Sequence, residues 1–356
     1  MLRSCGLLLL AVVRRPPLLP RSAPAVALLT EAADKHALAA AFSTSEQRLV
    51  DRLQTRLALS DVATVRLLVR HPEVLGYSFE SNIAPTIDAL QRSLRLTDDG
   101  VGKLLLEAPS ALGLNVEGSL QPRLASLRSL LSLDDAQMTR FVCTYPRVLL
   151  LSIDDNVVPT LATLRSLLHL SDDSLRSLVT RFPQVLSLSA EGNIAPSVRT
   201  LQEMLGGDGD ACEGRPADDD VRSLVLQMPS VLGLSLEANV KPKVAFLASA
   251  LNLSRAELRE ALLRDPLVLG ASLDKTLRPN VQLWAEALPP DMPLREIVVS
   301  RGLRFLRSSH EKRAAPRLRM AAARGVPATA LLTKMRLTDD AFAEWLGGSV
   351  GAVSRM

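Results

Sequence analysis

The chain has 356 residues, of which 47% are hydrophobic, 22% are charged and 3% are aromatic, and its formal net charge is +4. This composition suits a helical protein with an aliphatic core, and it argues against a disordered chain and against a β-sandwich. The length allows two or three ordinary domains or one elongated array.

The apolar runs and the cysteines argue against several classes of protein. No apolar run approaches the roughly 20 residues that cross a membrane, so we expect no membrane association. Cys5, Cys143 and Cys212 lie far apart without a CxxC pair, and the four histidines are scattered. The sequence therefore predicts neither a disulfide framework nor a metal site, and no motif indicates a cofactor.

The first 43 residues have the composition of a targeting segment. They contain four arginines and no acidic residue before Glu31. An arginine-bearing, acid-free leader is typical of organelle transit peptides, so we expect residues 1–43 to be disordered or cleaved. The alternative is a secretory signal peptide with its apolar core at residues 7–13 and a cleavage box at residues 25–27. We favour the transit peptide because arginines also follow the apolar run.

A phrase with two prolines returns through the rest of the chain, as in PSVLGLSLEANVKP at residues 229–242. Six copies have their prolines thirteen residues apart, and successive copies begin 37, 37, 37, 46 and 37 residues apart. A fixed period of this kind indicates a repeat architecture. The pairs are Pro72 and Pro85, Pro109 and Pro122, Pro146 and Pro159, Pro183 and Pro196, Pro229 and Pro242, and Pro266 and Pro279.

We interpret the prolines as boundaries between helices. The residue before a proline avoids helical angles, so the first proline ends one helix. The second proline suits the first turn of the next helix, where its missing N–H costs nothing. The alternative is an earlier start at the preceding serine, with the proline bending the helix. The predicted caps lie three residues before each second proline: Asn82, Ser119, Asn156, Asn193, Asn239 and Thr276.

A second helix is predicted to begin twelve residues before each first-proline position, including Leu303 in the last repeat. Six of these seven positions hold capping residues, and at the exception, Ala217, the neighbouring Asp218 can substitute. The acids that follow complement the helix N-terminus, and we interpret them as capping residues rather than catalytic or metal-binding pairs. The positions are Ser60, Thr97, Asp134, Ser171, Ala217, Ser254 and Asp291.

Two-helix units that cannot bury their apolar faces alone must stack on their neighbours. The predicted fold is therefore an all-α, right-handed superhelical solenoid of about seven to eight repeats with a 37-residue period, over residues 44–346. The long unit carries nine extra residues within 206–220, an acidic, glycine-rich stretch that we expect to be an exposed loop. Residues 347–356 are predicted to be a C-terminal tail, and the protein to be a monomer.

The pattern P-x-V-L-x-x-S-x-E-x-N-x-x-P, followed by an aliphatic helix and L-x-L-S-D-D, resembles the mitochondrial transcription termination factor (mTERF) family. The closing segment resembles it too, through Lys312 and Arg313, Pro316 and Arg317, and Phe342. The resemblance implies a superhelical array that binds nucleic acid, typically duplex DNA, along a basic groove. It also implies work in mitochondria or chloroplasts, in transcription termination or regulation or in organelle RNA and ribosome maturation. The sequence departs from the pattern at the acidic insertion and at Leu303.

Charge is distributed unevenly along the repeats. Residues 44–240 contain 18 basic and 25 acidic residues, a net charge of −7, whereas residues 241–336 contain 18 basic and 8 acidic residues, a net charge of +10. A localised basic region is what contact with phosphates requires, and arginine donates paired hydrogen bonds to phosphate. The predicted nucleic-acid-binding residues are Lys241, Lys243, Arg264, Arg278, Arg301, Arg304, Arg307, Lys312, Arg313, Arg317, Arg319 and Arg324.

An arginine also recurs two residues before the first-proline position, at Arg70, Arg181, Arg264 and Arg301. Equivalent positions of a solenoid line one edge, so these arginines would share a surface for phosphates. The alternative is that they complement the negative C-terminal ends of helices.

The scarcity of aromatic residues bears on the ligand. Without stacking platforms for single strands, the chain is expected to hold duplex DNA by its backbone, with structured RNA as the other ligand considered. No P-loop, dinucleotide fingerprint, zinc-protease or nucleophile motif is present, so we predict no enzyme activity. The alternative function is a protein-binding scaffold for organelle ribosome or transcription assemblies, with a basic partner on the acidic N-terminal repeats.

Overall fold

The computed structural model describes residues 43–206 and 217–353. These residues form α-helices joined by short 3-10 and π turns, and none of them lies in a β-strand. The chain divides into two compact units, an N-terminal unit up to Pro159 and a C-terminal unit from Thr160. The predicted transit peptide, except for its last residue, and most of the predicted loop at 206–220 lie outside the described residues.

The helices follow one another in pairs. Those of the N-terminal unit are α1 Thr44–Leu57, α2 Asp61–Arg70, α3 Ala84–Leu94, α4 Asp98–Glu107, α5 Gln121–Leu131 and α6 Asp135–Thr144. Helix α7, Val158–Leu168, contains the division between the units. The C-terminal unit continues with α8 Asp172–Arg181, α9 Ala195–Leu205, α10 Ala217–Gln227, α11 Lys241–Ala250, α12 Arg255–Arg264, α13 Arg278–Ala287, α14 Leu294–Arg301, α15 Ala315–Ala322, α16 Ala328–Leu331 and α17 Asp339–Val353.

The second helix of a repeat starts where its cap was predicted at five positions. Each capping side chain accepts a hydrogen bond from the backbone N–H three residues on, which satisfies one of the free donors of the helix start. The prediction at Asp291 is wrong, since α14 begins at Leu294, after Pro293. The five confirmed caps are Ser60, Thr97, Asp134, Ser171 and Ser254.

The first helix of a repeat starts earlier than the predicted asparagine cap. Ser78 accepts a hydrogen bond from the N–H of Ser81, and a π turn, Phe79–Ile83, then leads into α3 past Pro85. A proline ring clashes with the carbonyl four residues back in a regular helix, and the wider turn relieves that clash. The prediction of Asn82 and its equivalents as caps is therefore wrong, and the alternative start at the preceding serine is confirmed. The caps are Ser78, Asn115, Ser152, Ser189, Ser235, Ser272 and Ser309.

The apolar pair of the repeated phrase lies in a 3-10 turn between the two helices. Val148 and Leu149 are fully buried in the N-terminal unit, as are Val185 and Leu186 in the C-terminal unit. Each such burial contributes about 1.5–3 kcal/mol, so the turn is part of the core rather than a surface loop. The turns are Pro72–Gly76, Pro109–Gly113, Pro146–Leu150, Pro183–Ser187, Pro229–Gly233, Pro266–Gly270 and Arg304–Arg307.

A buried polar side chain directly after the second proline joins neighbouring repeats. In the N-terminal unit, the Thr86 hydroxyl donates to the carbonyl of Leu114 at 3.3 Å. In the C-terminal unit, Thr160 donates to the carbonyl of Leu188 at 3.3 Å. A buried hydroxyl needs a hydrogen-bond partner, and the next repeat supplies it here, so this position holds one repeat in register on the next.

The all-α repeat fold is thus confirmed, with paired helices that recur at the predicted period. The predicted tail at 347–356 is helical up to Val353, where α17 ends. Among the described helices, none combines the length and the apolar character that a membrane span requires.

Candidate nucleic-acid interface

A cleft of about 460 Å³ in the C-terminal unit collects charge from several repeats. Five guanidinium groups and a single carboxylate line it, so the charged groups sum to +4. Apolar, hydroxyl and amide side chains complete the lining. The charged residues are Arg181, Arg264, Asp265, Arg304, Arg307 and Arg336.

Two of these arginines are positioned by the ends of neighbouring helices. Arg181 donates to the carbonyls of Leu226 and Gln227 at 2.7 and 3.2 Å, in the last turn of α10. Arg264 donates to Val299 and Ser300 of α14 at 3.1 and 3.0 Å. These carbonyls form the negative ends of helices, where a cation is favourable.

Three of the four recurring arginines therefore join neighbouring repeats, whereas the alternative interpretation expected them only to be solvated at the ends of helices. In the N-terminal unit, Arg70 does the same to the carbonyl of Leu106 at 2.6 Å. Gln227 replaces arginine in one repeat and still donates to Leu263 at 3.0 Å. Arg301 is the exception, because it is exposed and has no partner within the described residues.

The carboxylate of the cleft, Asp265, stands at a position where the two preceding repeats have an apolar residue. Asp265 is only 6% exposed, and its equivalents in the two preceding repeats are Phe182 and Met228. It accepts hydrogen bonds from the backbone N–H of Leu303 and from the Arg304 Nε, both at 3.0 Å. A proline at 303 would have no N–H to donate, so the buried acid and the loss of the proline belong together.

Gly302 belongs to the same local change. Its φ of +83° is rarely adopted by residues with a side chain, and an added Cβ would clash with the Oδ2 of Asp265. Glycine therefore lets the backbone approach the carboxylate closely. The sequence showed only that Leu303 departs from the pattern; it did not indicate which group would accept its N–H.

Arg307 adds a charge that the six other repeats lack. The equivalent position is glycine in four repeats, at Gly76, Gly113, Gly233 and Gly270. Arg307 is half-buried, and burial lowers the pKa of its guanidinium, helped by repulsion from Arg336 and Arg304 and opposed by Asp265. Neither Arg307 nor Arg336 forms a hydrogen bond or ion pair within the described part of the chain. Like charges held together without counter-ions attract an anion.

Four other predicted residues are exposed but do not line the cleft. They lie after α14: two in the π turn His310–Ala314, one in α15 and one just after α15. Arg319 donates through Nε to the carbonyl of Ala315 at 3.3 Å, within its own helix. The other three have no side-chain partner among the described residues, so their charges face solvent. The four are Lys312, Arg313, Arg319 and Arg324.

Lys241 and Arg278 have local partners of opposite charge. Lys241 lies 2.5 Å from Glu237, and Arg278 lies 3.2 Å from Asp274 and over the ring of Phe246 at 4.7 Å. Exposed pairs of this kind contribute about 0–1 kcal/mol, so a phosphate can replace the carboxylate at little cost. Both residues stay in the predicted set.

Lys243 and Arg317 require a correction, because the structure places both inside the protein. Lys243 is 4% exposed and donates to the carbonyl of Leu269 at 2.6 Å, and burial lowers its pKa. Arg317 is 2% exposed and donates to the carbonyls of Lys334, Met335 and Leu337 and to Asp339. Both directly follow a second proline, so they are the donors that join repeats and not a surface for phosphates.

Arg336 is the cleft residue that sequence analysis missed. It follows α16 and precedes α17, outside both the repeated phrase and the recurring arginines. Only the packing of this last segment brings it beside Arg307. Within residues 43–206 and 217–353, no three His, Cys, Asp or Glu side chains are grouped as metal ligands would be.

Comparison with known proteins gives one family match. The family model described as mTERF matches residues 36–288 and again 217–343, so the matches together span nearly all the described residues. No curated protein matches the chain significantly.

Proposed function

Because the chain belongs to the mTERF family, whose members are organellar nucleic-acid-binding helical-repeat proteins with transcription-related roles, we propose that it regulates organelle transcription, including termination. Duplex DNA is the favoured ligand, and organelle RNA or ribosome maturation on structured RNA is the other role within the same proposal. The proposed compartment is the mitochondrion, with the chloroplast as the alternative, since family members are organellar in general.

The arginine-lined cleft is the observation that carries this proposal. Arg304, Arg307 and Arg336 lie together in the C-terminal unit, and Asp265 is the single carboxylate that lines the cleft. Arginine forks match the geometry of phosphate oxygens and donate strong charge-assisted hydrogen bonds to them. Binding therefore depends mainly on the nucleic-acid backbone, which positions a ligand without reading its sequence.

A protein-binding scaffold is the second candidate function, and the charge of the first repeats favours it. Residues 44–240 contain 18 basic and 25 acidic residues, a net charge of −7, and the acids include the exposed Glu80, Glu117 and Asp154. Carboxylates repeated along stacked units would repel phosphates and attract a basic protein. The two functions are compatible, with nucleic acid on the C-terminal unit and protein on the N-terminal unit.

The proposal is tested by gel retardation of the full chain with duplex DNA and structured RNA of equal length. Retardation is expected at about 50 mM salt and should weaken by orders of magnitude towards about 200 mM, because bound phosphates release counter-ions. Replacing Arg301, Arg304, Arg313 and Arg319 with alanine should abolish retardation and leave the helical circular dichroism unchanged.

Arg317 is left out of that variant because its side chain is internal. If the four substitutions leave gel retardation unchanged, these arginines do not belong to the proposed surface. If neither ligand is retarded even at low salt, the nucleic-acid function is contradicted and the protein-binding scaffold remains as the candidate function.

A further inference from the structure

The cleft in the C-terminal unit concentrates positive charge beyond what one backbone phosphate needs. Three side chains, Arg304, Arg307 and Arg336, line the same cleft, and repulsion from Arg336 and Arg304 contributes to lowering the pKa of Arg307. Only Arg304 has a carboxylate partner within the described residues, Asp265, at 3.0 Å. A phosphodiester brings one negative charge, whereas a phosphate monoester brings about 1.5–2 at neutral pH.

Three of the five arginines that line the cleft are preorganised. Asp265 accepts hydrogen bonds from the Leu303 N–H and from Arg304, which fixes the Arg304 head before any ligand arrives. Arg181 and Arg264 are fixed in turn by carbonyls at helix ends. Preorganised donors lose little entropy when they bind, so the cleft is suited to holding one compact anion.

One wall of the cleft is apolar. Leu267 lines it beside Pro266 and Leu226, and Leu267 is 46% exposed, which is unusual among the leucines that the structure describes. The volume, about 460 Å³, lies in the range of about 300–1,000 Å³ that is usual for small-ligand sites. An apolar wall next to clustered arginines suits a ligand with a planar or sugar part attached to a strongly charged group.

We propose that this cleft binds the terminal phosphate monoester of a nucleic-acid strand, with the terminal nucleotide against Leu267 and the phosphate on Arg304, Arg307 and Arg336. This inference rests on the proposed nucleic-acid function and specifies the ligand of the same site. An internal phosphodiester is linked to a nucleotide on each side and carries one negative charge. It therefore makes weaker interactions with the three arginines than a terminal phosphate monoester does. The same chemistry is present in a free nucleoside monophosphate, which the test must distinguish.

The test compares two oligonucleotide hairpins of identical sequence, one with a 5′-phosphate and one with a 5′-hydroxyl, bound to the full chain and followed by fluorescence polarisation. The phosphorylated hairpin is expected to bind at least about fivefold tighter, because its second charge interacts with the same guanidinium groups. A pair that differs only in a 3′-phosphate shows whether the preference extends to the other end. A nucleoside monophosphate is titrated separately as the free-ligand probe.

Arg307→Gln and Arg336→Gln should each reduce the preference for the phosphorylated hairpin towards unity, because each weakens the binding of the phosphorylated hairpin more than that of the hydroxyl hairpin. Both side chains lack partners among the described residues, so neither substitution removes an interaction that stabilises the fold. Arg147→Gln is the matched control, since it removes the same charge from an exposed position outside the cleft and outside the predicted binding residues, and it should keep the preference.

The outcomes separate this inference from the broader function. The inference is overturned if the unsubstituted protein binds the phosphorylated and the unphosphorylated hairpin with equal affinity in both the 5′ pair and the 3′ pair. That result leaves the nucleic-acid function intact. A nucleoside monophosphate that binds without any preference for the phosphorylated hairpins overturns the assignment to a strand end. If neither hairpin binds at low salt, the nucleic-acid function itself fails.

Discussion

The buried carboxylate of Asp265 accepts a hydrogen bond from the backbone N–H of Leu303 at 3.0 Å. Leu303 stands where six other repeats have a proline, which has no N–H. A buried donor left without an acceptor is costly, so the acid compensates for the missing proline. The same carboxylate accepts a hydrogen bond from the Arg304 Nε at 3.0 Å. The residue that compensates for the missing proline is therefore also part of the charged cleft.

Asp265→Ala should lower the free energy of unfolding by about 1–3 kcal/mol, because the Leu303 N–H would be buried without an acceptor. In a Leu303→Pro background that donor is absent. The decrease in the free energy of unfolding caused by Asp265→Ala should then be smaller by about 1 kcal/mol. Urea unfolding of the four proteins of this cycle measures the difference. Equal costs in the two backgrounds would show that the hydrogen bond is not what couples the residues.

Arg317→Ala should destabilise the C-terminal unit by about 1–3 kcal/mol, since it removes the buried donor to the carbonyls of Met335 and Leu337 and the partner of the exposed Asp339. Arg319→Ala, in the same helix but exposed, should change the free energy of unfolding by less than about 0.5 kcal/mol. Thermal or urea unfolding compares them. Similar effects from both substitutions would contradict the internal role of Arg317.

Replacing Arg304, Arg307 and Arg336 with glutamine should flatten the salt dependence of duplex binding. Each lost phosphate contact lowers the slope of log affinity against log salt by about 0.9, so a loss of about 2–3 is expected. The control replaces Arg66, Arg140 and Arg147, which are exposed in the N-terminal unit, and changes the net charge equally. If the control flattens the slope as much, overall charge rather than the cleft governs binding.

Lys243→Thr should leave both the affinity for nucleic acid and its salt dependence unchanged, because the Lys243 ammonium donates to Leu269 inside the protein. Threonine is the natural residue at the equivalent positions 86 and 160, where it makes the same kind of hydrogen bond. Binding titrations at two salt concentrations test this, with circular dichroism as the folding control. A weaker salt dependence would return Lys243 to the phosphate-binding set.

Much of the fold could be predicted from proline positions because the steric effect of proline is local. The residue before proline disfavours helical angles, and helices accordingly end two residues before Pro72 and its equivalents. The start of the first helix was predicted less well. A widened π turn lets the helix pass the second proline, so Ser78 rather than Asn82 caps it. The choice between those two starts depends on backbone geometry that single-residue preferences do not specify.

The candidate site was predicted only in outline. Residues 241–336 have an excess of basic residues, and many arginines in this range are exposed. Charge alone, however, does not show which basic side chains are internal. Lys243 and Arg317 look like surface cations in the sequence and are buried donors in the structure. Arg336 belongs to no repeated motif and was missed.

The sequence by itself determined the periodic part of the protein: paired helices, their length and the apolar turn between them, since each follows from steric and capping effects within a few residues. The tertiary structure decided which cations remain available, because burial and hydrogen bonding depend on what the next repeat places against a side chain. Arg307 beside Arg336 and Asp265 beneath Leu303 are contacts between segments about 30 to 40 residues apart, and no local pattern specifies such contacts.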